Sequence, residues 1–212
     1  MILGTLVSLT VFAAAEQPKP QVRENQPTPI VKPRPPRKSK AQFVQRRLAR
    51  PPMGEGTPLV FSKTSELSLR PATTRFEFEP GQPVFSAWPD ANTAWLVRDL
   101  DGDGRITSGR ELFGTFTRGR PANGFEALSV LDADHDGFVT PREAELKLWF
   151  DRDGDRRVGD GELEVVAFDL PVNFSVEVQC DAQGNCGKER ARAGDGWLID
   201  LHLRLSGGGS RF

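Results

Sequence analysis

Three acidic loops between Asp99 and Glu162 constrain this chain of 212 residues more than any other feature. They read DLDGDGRITSGRE (99–111), DADHDGFVTPRE (132–143) and DRDGDRRVGDGE (151–162). Each sets aspartate at loop positions one, three and five and closes on a glutamate. Carboxylates at alternate positions can converge on one hard cation, a backbone carbonyl follows at position seven, and a glutamate at twelve completes the shell. That is the spacing of a calcium loop. The plainer reading is a solvated turn, because Asp and Gly are common turn residues. Three repeats, each with Ile106, Val139 or Val158 at position eight, leave that reading little room.

The second loop fits the pattern in full: Asp132, Asp134 and Asp136, Gly137 at six, the Phe138 carbonyl at seven, Thr140 at nine and Glu143 at twelve. The first loop has Asp99, Asp101, Asp103, the Arg105 carbonyl and Thr107 in place, but Arg110 stands at twelve and Glu111 comes one residue late. Either Ser108-Gly109 bulges to bring Glu111 round, or the site loses its two-oxygen ligand. The bulge is the expectation, since glycine takes backbone angles that other residues avoid. The third loop offers Asp151, Asp153, Asp155, the Arg157 carbonyl and Glu162. It carries Arg156 where glycine belongs, at a cost of about 1 kcal/mol if φ is positive. Gly159 at nine leaves that position to water, so this loop reads as the weakest. Two to three Ca²⁺ ions are expected.

The run WPDANTAWLVRDLDGDGRITSGRELFG, followed by NGFEALSVLDADHDG, LKLWFDRDGD and DAQGNCGKERARA, resembles a bacterial secreted EF-hand-repeat calcium-binding family over roughly residues 88–203. Members of that family read D-x-N-G-D-G-x-I-D-x-G-x-ELFG, then GF-x-AL-x-x-LD, then LW-x-D-x-N-x-DG. The late glutamate recurs in its ELFG motif, which supports the bulge at Glu111. The resemblance implies calcium binding and an extracytoplasmic protein; it implies no known catalytic activity.

The two ends differ from this centre. Residues 1–15 are an apolar run ending in Ala13-Ala14-Ala15, the pattern of a secretory leader, although no basic residue precedes it. It is too short to span a bilayer, so no transmembrane span is expected. Residues 16–58 hold ten of the 17 prolines and ten Lys or Arg against three acids, which reads as an extended, disordered basic linker. Such an arm can touch an anionic cell-surface polymer or a protein partner, though a plain spacer is the simpler reading. Setting it aside leaves residues 59–212 with 18 basic and 26 acidic side chains, a net of −8 within a chain whose formal charge is −1. Bound calcium would offset most of that, so the domain is expected to depend on its metal.

Residues 59–212 are long enough for one domain with a real core. The fold expected is α+β: EF-hand-like helix–loop–helix units packed with short antiparallel strands and a C-terminal β-hairpin. NGFEALSVLD would enter loop two as a helix. PREAELKLWF would leave loop two and enter loop three, so that two sites share a helix. Two or three short strands are expected over residues 59–84, and FSVEV and WLIDLHLRL alternate as strands. Cys180 and Cys186 flank a Gly184-Asn185 turn, and in an oxidising compartment they should pair across the hairpin. The localisation expected is periplasmic or secreted.

Other classes fit less well. No nucleophile elbow, zinc helix or phosphate loop is legible, so the chain does not read as an enzyme, and a hydrolase with an unrecognised site ranks below a calcium-dependent docking or adhesion module. His135, at position four of loop two, should face water, and His202 should lie on the polar face of the last strand. An acidic folded domain excludes nucleic acid as a partner.

Overall fold

The runs LVF, AWLV and WLI are too uniformly apolar for half-buried strands, and they form the middle of a sheet covered on both faces. The structure, a computed structural model, describes residues 55–71 and 73–207. The leader at 1–15 and the linker as far as residue 54 lie outside the described residues.

Strands β1 (Glu55–Gly56), β2 (Leu59–Ser62), β3 (Leu69–Arg70), β4 (Arg75–Glu79), β5 (Gln82–Phe85), β6 (Trp88–Pro89) and β7 (Thr93–Val97) come first. A single six-residue helix, α1 (Gly124–Ser129), follows among the described residues. Next come β8 (Phe138–Val139), β9 (Lys147–Trp149), β10 (Leu163–Val165) and β11 (Leu170–Pro171). The chain closes with β12 (Ser175–Cys180), β13 (Cys186–Ala193), β14 (Gly196–Arg204) and β15 (Ser206–Gly207). The main sheet runs β10-β9-β7-β2-β14-β13-β12, antiparallel throughout, with β1 also on β14. Glu55–Gly56 thus belong to the folded body although they stand at the end of the stretch read as linker.

Register sorts the side chains into two cores. Val60, Trp95, Trp149 and Ile199 are cross-strand neighbours on one face, covered by Phe76, Phe78, Trp88, Ile106 and Leu112. Phe61, Ala94, Leu96, Leu148 and Leu198 point the other way, under Phe125, Leu128, Val139, Leu170 and Val172. The first cover carries loop one through Ile106, and the second carries loop two through Val139. Burial on both sides of one sheet positions all that follows.

The helix–loop–helix architecture is not what forms, so the α+β expectation is corrected to a β fold. Loop one is entered from strand β7, and loop three from strand β9. PREAELKLWF, expected as a shared helix, has only seven residues between Glu143 and Asp151, and a helix of two turns is marginal without strong packing. Its apolar residues also keep a period of two: Leu146, Leu148 and Phe150 enter one core and Trp149 the other. Pairing of Leu148 with Leu96 and Trp149 with Trp95 therefore wins. Among the described residues only GFEALS is helical. Asn123 caps it by accepting the Glu126 N–H at 2.8 Å, while the Glu126 carboxylate accepts the Ala122 N–H at 2.7 Å. Gly124 is required there, since a Cβ would lie 2.5 Å from Leu59 Cγ and 2.7 Å from the Phe113 carbonyl. Val139 pairs with Leu170, not with a neighbouring calcium-type loop.

The C-terminal strands do form a hairpin, extended to the meander β12-β13-β14 and fused to the main sheet instead of resting on helices. Cys180 and Cys186 face one another in register and form a disulfide. Closing this short loop restricts the unfolded chain by roughly 2 kcal/mol. Replacing both cysteines with serine is expected to lower the thermal midpoint by about 4–8 °C, measured by circular dichroism, with the wild-type protein reaching the same value in reductant.

Candidate functional site

The three acidic loops repeat one hydrogen-bond ladder. The position-one carboxylate accepts the position-six N–H in each: Gly104 to Asp99 at 3.0 Å, Gly137 to Asp132 at 3.1 Å and Arg156 to Asp151 at 3.0 Å. Position three accepts from position five, as Asp103 to Asp101, Asp136 to Asp134 and Asp155 to Asp153. Position five accepts from position seven, as Arg105 to Asp103, Phe138 to Asp136 and Arg157 to Asp155. These are turns in which a short carboxylate folds onto its own backbone two residues on.

The closing glutamates turn back in the same way. Glu143 accepts the N–H of Thr140 and Glu162 that of Gly159, both at 2.9 Å, and Glu111 accepts that of Thr107 at 2.9 Å from one residue further away. The extra residue in loop one is thereby absorbed between Ser108 and Glu111, where Gly109 N–H donates to the Glu77 carbonyl at 2.9 Å. Gly109 serves by close approach and not by an unusual φ: a Cβ there would lie 2.4 Å from the Phe78 carbonyl oxygen. The hydroxyls of Thr107 and Thr140 donate to the same glutamates, at 3.3 and 3.1 Å.

Positive φ falls at positions four and six of every loop: Gly102 and Gly104, His135 and Gly137, Gly154 and Arg156. Position four therefore carries the same backbone requirement as position six. His135 pays it as a non-glycine residue and is exposed, as expected. The result is three groups whose oxygens lie within 4.8 Å of one another and could hold a metal ion: Asp99, Asp101 and Asp103; Asp132, Asp134 and Asp136; and Asp151, Asp153 and Glu162.

Electrostatics differ among them. Burial pushes Asp99 up, yet the N–H groups of Gly104 and Gly102 and the Lys147 ammonium at 3.5 Å hold it below the usual carboxylate range. Glu143 is also lowered, chiefly by the Thr140 N–H. Asp151 is raised, because its burial outweighs the N–H groups of Arg156 and Gly154.

A fourth group was not legible. His202, assigned to a polar face, is largely buried with Nε2 3.1 Å from Glu189 Oε2 and 3.6 Å from Asp200 Oδ2. Burial would lower the imidazole, but the two carboxylates raise it to about 9, while complete burial pushes Asp200 up to about 6. Asp200 Oδ1 accepts the Gly124 N–H at 3.2 Å. Asp200 Oδ2 and His202 Nδ1 have no hydrogen-bond partner among the described residues. The signal for this group was Asp200 itself, a lone acid in the apolar run WLIDLHL.

Residues 66–194, more than half of the chain, match the family model of the SPM domain, and the chain belongs to that family. It is also 35% identical over 77 residues to the iron-regulated protein FrpA of Neisseria meningitidis serogroup C. That match covers 33% of this chain and 7% of the relative's length. No helix among the described residues is long and apolar enough to cross a membrane.

Proposed function

We propose that this SPM-domain protein is an extracytoplasmic calcium-binding module in which the three acidic loops bind Ca²⁺ as structural staples. The observation that carries the reading is the ladder repeated in all three loops, which holds carboxylate oxygens in convergent groups although the loops are entered from different elements. The donors are all oxygen: Asp99, Asp101, Asp103 and Glu111, then Asp132, Asp134, Asp136 and Glu143, then Asp151, Asp153, Asp155 and Glu162, with the carbonyls of Arg105, Phe138 and Arg157 completing each set. An all-oxygen set of this size suits calcium. The ion would cancel repulsion among carboxylates that the folded chain already crowds together.

The resemblance of the loops to a secreted calcium-binding repeat family supports the same reading. A disulfide between the only two cysteines favours an oxidising compartment. Steady external calcium favours staples with Kd of about 10⁻⁴–10⁻³ M over a sensor.

Equilibrium dialysis with radioactive calcium tests the assignment. Wild-type protein is expected to bind two to three ions per chain, and Asp132→Asn with Asp134→Asn to bind one fewer. Retention of no calcium at millimolar concentration, or an unchanged count in the double variant, overturns it.

A further inference from the structure

We propose that Glu189, Asp200 and His202 form a second kind of metal site, specific for a zinc-class divalent cation and separate from the oxygen-only loops. The donor set differs in chemistry, since one imidazole nitrogen joins two carboxylates, and imidazole suits zinc where calcium prefers oxygen alone. The spacing fits. Ligand atoms around a tetrahedral Zn²⁺ with bonds of about 2.0–2.2 Å stand roughly 3.3–3.5 Å apart. Nε2 lies 3.1 Å from Glu189 Oε2 and 3.6 Å from Asp200 Oδ2, and all three donors lie within 4.8 Å of one another.

The backbone is shaped to make this meeting. Gly187 pairs with Leu201 and Arg190 with Ile199, so β13 carries one extra residue over that interval. In an unbroken ladder Glu189 would pair with Ile199 and face the tryptophan core. The bulge turns it onto the face of Asp200 and His202, as bulges do where a side chain must be re-aimed. Asp200, fully buried, is held through Oδ1 by the Gly124 N–H, which leaves Oδ2 aimed at the imidazole with no hydrogen bond of its own among the described residues. An outer hydrogen bond on one carboxylate oxygen, with the other free, is how a metal ligand is oriented.

Charge favours the same occupant. Two buried carboxylates, Glu189 and Asp200, converge on one imidazole. A divalent cation with a neutral imidazole brings the three side chains and the ion to zero, which lowers the cost of burial.

The test uses the full chain, stripped of metal and then held in excess calcium so that the acidic loops are occupied. Titration with Co²⁺ is expected to give the intense visible bands of a tetrahedral site at one equivalent, displaced by Zn²⁺. His202→Gln and Glu189→Gln should each weaken Co²⁺ binding about tenfold or more while leaving the calcium count unchanged. A wild-type protein that takes up no Co²⁺ or Zn²⁺ in excess calcium overturns the proposal, whether or not either variant folds. So does uptake that survives both substitutions, which would place the ion in the loops.

Discussion

In EGTA the protein is expected to unfold some 10–30 °C below its midpoint in saturating calcium. Each ion that binds only the folded state contributes about 2.7 kcal/mol at a concentration one hundred times its Kd. Two or three sites therefore supply roughly 5–8 kcal/mol, and for a domain of this size each kcal/mol moves the midpoint by about 2–4 °C. The molecular source of the dependence is local. Without an ion, each loop packs three or more carboxylates within a few ångströms, and the ladder that orients them is made of single N–H donors. Raising salt screens surface charge but cannot coordinate these oxygens, so sodium chloride should recover little of the loss. Scanning calorimetry across a calcium series measures this directly. Equal midpoints in EGTA and in millimolar calcium would reduce the loops to solvated turns.

What was legible in the sequence was what local spacing encodes. The ladder of positions one, three, five and twelve depends on residues within one loop, so its participants could be named without knowing the fold. Even the displaced Glu111 reaches its Thr107 N–H. The disulfide was legible for the same reason. What flanks the loops was not, because helix or strand was decided by distant partners. KLW within LKLWF becomes a strand through Leu96 and Trp95, some fifty residues away, and a helical reading of the apolar residues mixes two opposite cores. The position of His202 was hidden more deeply. A period of two set it on the face of Asp200, but only the bulge in β13 brings Glu189 to the same face. A bulge leaves no mark in a single sequence.

Arg156 shows how a residue can violate a loop's rule and still stabilise the protein, and Arg156→Gly is expected to separate the two effects. The substitution would relieve a non-glycine φ of 63°, worth about 1 kcal/mol, so loop three alone should improve. The side chain, however, is not a loop side chain in any ordinary sense. It is buried, its guanidinium sits 4.5 Å from the centre of the Trp88 ring, and its Nη2 donates to the Ser86 carbonyl at 2.7 Å. A desolvated cation–π contact is worth about 2 kcal/mol and a charged hydrogen bond about 1.5–3 kcal/mol. Removing both also opens a cavity against Trp88, itself packed edge-on against Trp95 and Trp149. Burial cost offsets part of this, since it depresses the guanidinium to about 10. The net expectation is a calcium-free protein destabilised by about 2–4 kcal/mol. Calcium binding at loop three should move the other way, tightening about three- to tenfold, because a positive charge beside Asp151 is gone. Arg156→Lys keeps the charge but cannot reproduce the planar stack on Trp88, so it should lose stability without gaining affinity. Denaturant unfolding in EGTA and calcium titration of the three proteins read the two quantities separately. If Arg156→Gly gained stability as well as affinity, the arginine would be a defect in loop three and the tether to Trp88 would count for nothing.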